Sequence, residues 1–142
     1  MRILLLNPPI YDFAAYDFWL RAYGVLTVGG YLRGKAEIEM FDYMGRRDEV
    51  YEGRKRLRRD KWGRGDFYRQ RLERPDCLND VPRYYHRFGL PRAYFEEFST
   101  GKEFDYVFVQ TMMTYWYPGV REVIADVRRY FPRAKIVLGG NY

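Results

Sequence analysis

The chain has one cysteine, Cys77, and one histidine, His86, among its 142 residues. A single thiol allows no internal disulfide, so a reducing compartment is the expectation. One Cys and one His cannot build a structural zinc site or a cysteine-held iron–sulfur cluster, which all but excludes metal and nucleophilic chemistry within the chain. Long apolar runs are missing too. Ile3-Leu4-Leu5-Leu6 ends at Asn7-Pro8-Pro9, too short a run for an exported leader. No stretch reaches the ~18–20 apolar residues that a bilayer crossing requires. A cytoplasmic protein with no membrane partner is expected.

Phosphate-binding signatures are also lacking. The G-x-G-x-x-G turn brings backbone amides to a pyrophosphate directly after a first strand. Here that position holds Asn7-Pro8-Pro9, and each proline removes a donor. There is no P-loop. A phosphoacceptor domain would want acidic residues where Asn7 and Gln110 stand.

What is present is a globular composition, 47% apolar, with an unusual 20% of aromatic residues. Those rings must be packed or used to bind flat ligands. The net charge of +6, mostly arginine on the basic side, permits phosphate-bearing partners without establishing one.

The continuous apolar run Ile3–Leu6 predicts a strand buried on both faces, as in the middle of a parallel sheet. Gly24 to Arg33 carries Val25, Val28 and Leu32 at helical spacing. Gly29 and Gly30 weaken such a helix by roughly 1 kcal/mol each, so close packing on the sheet is their expected use. Glu37 to Tyr43 reads as a second strand nearer the edge, and Tyr106 to Gln110 as a third, buried one. Pro118 suits the first turn of a helix. Beyond it Val120, Val123, Ile124, Val127, Tyr130 and Phe131 form one apolar face, with Arg121, Glu122, Asp126, Arg128 and Arg129 expected outside. Lys135 to Leu138 is the fourth strand and Gly139-Gly140 its turn. The order is β-α-β, an insertion at about 46–103, then β-α-β, an α/β fold.

The insertion is expected to hold little regular strand, with short helices around Pro91 to Phe98. Its Gly53–Asp76 run interleaves arginines with Trp62, Phe67 and Tyr68, the composition of a single-stranded nucleic-acid groove. Asp60, Asp66, Glu73 and Asp76 interrupt it, and no nucleic-acid module is recognisable. A solvated insertion folded over the sheet end is the better account. His86 and Cys77 belong to it as a packed or surface residue and an incidental thiol.

Three segments together carry a family resemblance. They are "ILLLNPP" at the start, "YGVLTVGGYLRG" as the first helix, and "VFVQTMMTYWYPGVREVIADVRRYFPRAKIVLGGNY" at the end. In order and spacing they resemble the cobalamin-binding domain found at the N-terminus of many radical S-adenosylmethionine (SAM) enzymes. The resemblance implies a flavodoxin-like (Rossmann-like) three-layer sheet of order 2-1-3-4, with the family's fifth strand and last helix missing. Residues 1–142 would then be a single truncated domain. It also implies a corrinoid lying across the carboxyl ends of the strands. Asn7, Pro8 and Pro9 match the first loop, and Asp42 ends the second strand. Thr111, Met112, Met113 and Thr114 match the loop after the third strand, and Gly139 and Gly140 the double glycine, where the nucleotide tail of cobalamin passes.

Two features depart from the family pattern. The D-x-H-x-x-G motif, whose histidine ligates cobalt in one branch, is absent, and His86 is wrongly placed to replace it. The C-x-x-x-C-x-x-C barrel holding the [4Fe–4S] cluster and SAM is absent as well. By itself the chain is therefore expected to be non-catalytic. Its partner would be the missing radical SAM domain of a parent enzyme. The alternatives are a vestigial domain that makes interdomain or protein contacts without a corrinoid and, more weakly, nucleic-acid binding through the basic insertion.

Overall fold

A computed structural model describes residues 1–16, 21–46, 60–62 and 64–140. Strand β1 (Arg2–Asn7) is buried along almost its whole length because parallel strands flank it on both sides. On one side lies β3 (Glu37–Asp42), and on the other β6 (Tyr106–Thr111), which in turn pairs in parallel with β7 (Lys135–Gly140). The four-stranded sheet therefore has the order β3-β1-β6-β7.

The two-residue period of the strands sorts side chains between two layers. Ile3 and Leu5 pack with Val25 of helix α1 (Tyr23–Leu32). Leu4 and Leu6 pack on the other side with α2 (Arg92–Ser99) and α3 (Tyr117–Tyr130). Helix α1 comes close because Gly29 has no side chain: a Cβ there would lie 2.6 Å from Leu5 Cδ1. Gly30 faces open space, so only one glycine of the pair serves the packing. In α3, Val120, Val123 and Val127 face the sheet. Much of the aromatic excess is used around Phe95, whose ring centroid lies 5.1–6.1 Å from those of Phe41, Tyr43, Phe98 and Phe131.

The insertion, expected to hold little regular strand, instead joins the segment after Pro9 in a second sheet. β2 (Ile10–Asp12), β5 (His86–Phe88) and β4 (Arg69–Arg71) pair antiparallel in the order β2-β5-β4. Pro8-Pro9 throws the chain out of the main sheet, and Ile10 finds its partner at Phe88. No local pattern announces a pairing so distant in sequence.

Two further expectations are corrected. Gly139 and Gly140 are not a turn. They lie in β7, in register with Gln110 and Thr111. Glu122 and Asp126 are not on an outer face either, because the inserted segments cover them. Glu122 is fastened by Arg87 through two hydrogen bonds, 2.6 and 2.9 Å, and accepts another from Tyr11 Oη at 2.5 Å. Asp126 accepts hydrogen bonds from Arg92 and, at 3.2 Å, from Tyr43 Oη. Both carboxylates tie the inserted segments onto α3.

Candidate functional site

Ligands of open parallel sheets gather beyond the carboxyl ends of the strands, and here those ends divide into two unlike halves. At β1 and β3 the chain is sealed. Asn7 is 4% exposed and donates from Nδ2 to Asp42 Oδ1 at 2.8 Å, where the Met44 N–H also donates at 2.8 Å. Burial raises the Asp42 carboxyl above its ordinary pKa, against the pull of the Asn7 and Met44 hydrogen bonds. Pro8 and Pro9 are buried. Above them Ile10, Met44, Phe67, Phe88 and Trp116 close a second small core, and Trp116 Nε1 donates to Asp12 Oδ2 at 2.7 Å. The void left among these residues is ≈ 20 Å³, room for about one water.

At β6 and β7 the sheet is open. A groove of ≈ 570 Å³ runs between the first turns of α1 and the ends of these strands. Val25 and Val28 of α1 face Phe108 and Val137 across it, and Thr111, Met112, Gly139 and Gly140 line its end. Four of the ten residues singled out from the sequence thus meet in one groove. Asn7, Pro8 and Pro9 line only the small void, with Met112 common to both. Asp42 lines neither, and Met113 and Thr114 are exposed without lining either.

Gln110, at the strand end from which a site is expected to draw, is a groove residue beyond the ten matched to the family pattern. Its Oε1 accepts the Val25 N–H at 3.3 Å, capping α1 from across the sheet, while Ala22 at the N-cap supplies no side-chain bond. A cap of this kind satisfies one of the donors that every helix start leaves open. A lone amide directly after the apolar run Tyr106–Val109 is its signal in the sequence.

The two glycines of the groove differ in what they tolerate. At Gly140, φ is +145° and a Cβ would lie 1.9 Å from the Thr111 carbonyl oxygen; at Gly139 a Cβ would meet nothing within 4 Å. Gly140→Val is therefore expected to lose about 1–3 kcal/mol or more in urea unfolding. Gly139→Ala should stay within about 0.5 kcal/mol of the parent.

Other candidates recede on geometry. His86 sits in β5 opposite Asp12 and Arg71 and does not line the groove. Among the described residues no group of three His, Cys, Asp or Glu could hold a metal ion, and no helix is long and apolar enough to cross a membrane. A wider crevice of ≈ 820 Å³ lies at the opposite, amino end of the strands, but most of its charged side chains are paired, Arg2 and Lys102 with Glu39 and Arg133 with Glu103. Arg54, Arg56, Arg58 and Arg59, on which nucleic-acid binding would rest, lie outside the described residues. Comparison of the chain with models of protein families, with curated proteins and with solved structures finds no match.

Proposed function

We propose that this chain is a non-catalytic binding module of the cobalamin-binding type, flavodoxin-like in strand order. It would hold a corrinoid, or position a substrate, for a radical SAM domain that carries the [4Fe–4S] cluster and SAM. The observation that carries this reading is the ≈ 570 Å³ groove at the carboxyl ends of β6 and β7. It lies where an open parallel sheet receives its ligand and falls within the usual size of a small-molecule site.

The residues present suit part of such a cofactor. Val25, Val28, Phe108 and Val137 give apolar walls, and Gly139 leaves space where a side chain would intrude. The room is that of a nucleotide arm, not of a whole corrinoid, because Asn7, Pro8 and Pro9 are sealed beneath Trp116 and Met44. A bound corrinoid would supply cobalt chemistry. The chain's own part is to hold the arm with Thr111, Met112, Gly139 and Gly140. His86 is outside the groove and does not serve as a ligand there.

Titration with hydroxocobalamin tests the reading. A saturable shift of its visible spectrum is expected, lost in Gly139→Leu, at a groove position where a Cβ meets nothing within 4 Å. Absence of any shift up to about 1 mM, a binding free energy of about −4 kcal/mol, overturns it. Protein contact would then be the better reading. It is favoured by the exposed apolar Val28 on α1 and Val137 on β7, which share the groove, since exposed apolar patches mark interaction surfaces.

A further inference from the structure

The corner of the groove where α1 begins is polar, and the apolar walls do not account for it. Tyr106, Phe108 and Gln110 alternate onto the α1 face of β6, where the first two join the core beneath α1 and Gln110 lines the groove. Gln110 is 7% exposed. Its Oε1 is occupied by the Val25 N–H, which settles which end of the amide is oxygen. The amide nitrogen is then left with two donors, and among the described residues no group accepts from it. This nitrogen is not a buried atom left without a partner; it opens to the groove, where an acceptor that arrives from outside can take the place of water.

Two neighbours reinforce the same preference. Gly24, in the first turn of α1, lines the corner next to Gln110, at the helix end whose amides and dipole favour negative charge. Arg21 stands on the same wall, exposed, with Asp42 as an acidic group whose field reaches it. Away from this corner the groove is hydrocarbon: Val28, Phe108 and Val137.

We propose that the Gln110 amide, the α1 N-terminus at Gly24 and Arg21 together receive the carboxylate of a flat, otherwise apolar acid whose body lies between Val28, Phe108 and Val137. This names a substrate class for the groove. It rests on the groove being a ligand site, as proposed above, and not on the corrinoid.

The probes are 2-naphthoate and its neutral counterpart 2-naphthylmethanol, titrated into the full chain and followed by NMR shifts. Naphthoate is expected to bind about tenfold more tightly, as for a hydrogen bond to a charged group. Gln110→Glu keeps an oxygen for the Val25 N–H but removes the donors and adds like charge, so it should abolish the preference while leaving naphthylmethanol bound. Arg21→Gln, at an exposed position, should reduce the preference severalfold with an unchanged urea midpoint. It decides the matter should Gln110→Glu fail to fold. Equal affinity for the two probes, no binding of naphthoate, or an unchanged preference in the variants overturns the proposal. A hydroxocobalamin shift without a carboxylate preference would overturn this inference and keep the cobalamin-type module. Naphthoate binding without a hydroxocobalamin shift would do the reverse.

Discussion

Arg87→Met is expected to destabilise the protein by about 3–5 kcal/mol, the cost of leaving one member of a buried ion pair alone. The Arg87 and Glu122 side chains are 6% and 8% exposed, and the guanidinium also donates to the carbonyls of Gly89 and Leu90. Without Arg87, Glu122 remains buried with the Tyr11 hydroxyl as its remaining hydrogen-bond donor. Burial, reinforced by the Glu122 hydrogen bond and charge, pushes the Tyr11 phenol well above its ordinary pKa, so Tyr11 stays a donor throughout the neutral range. It cannot replace a charge. The double variant Arg87→Met, Glu122→Leu should recover most of the loss, because an apolar pair of similar volume can match a buried ion pair. Urea unfolding of the two single variants and the double variant measures this. If Arg87→Met cost less than 1 kcal/mol, the pair would be behaving as a surface salt bridge and the packing of the small sheet on α3 would be wrong.

Phe95→Ala should cost about 3–5 kcal/mol in the same measurement. Phe95 is fully buried and touches rings from β3, from its own helix and from the residue following α3. Truncation leaves a cavity that these rings cannot fill without leaving their rotamers. Phe95→Leu keeps most of the volume and should cost distinctly less. The α1 groove lies on the opposite face of the sheet, so probe binding by the folded fraction should be the same in both variants.

Local pattern determines some elements of this fold and not others. Ile3–Leu6 and Tyr106–Val109 are strands because unbroken apolarity leaves no face to water, and both lie within the parallel sheet. Val120, Val123 and Val127 face the core because their spacing follows the helical period. The same periodicity misled at Glu122 and Asp126. It shows which face is polar but not whether another part of the chain will cover that face, and here Arg87 and Arg92 arrive from the insertion to neutralise them. Gly139 and Gly140 were misread for a related reason. Glycines end many strands, but the pairing with Gln110 and Thr111 that keeps these two in β7 depends on how closely β6 approaches.

The candidate site divides along the same line. The carboxyl ends of the strands followed from strand direction, which a βαβ order already implies. That Asn7, Pro8 and Pro9 are sealed while Thr111, Met112, Gly139 and Gly140 border a groove depends on where β2, β5 and Trp116 fold, and those contacts join residues far apart in the chain. The role of Gln110 also needed the fold, since its cap on α1 connects β6 with a helix that precedes it by more than one crossover. From its own residues the sequence determined the main strands, the helix after the first strand, the amphipathic helix after Pro118 and the end of the sheet where a ligand belongs, because hydrophobic period and turn chemistry are local. Only the tertiary structure decided which part of that end is open and which carboxylates are buried, because coverage is set by long-range packing.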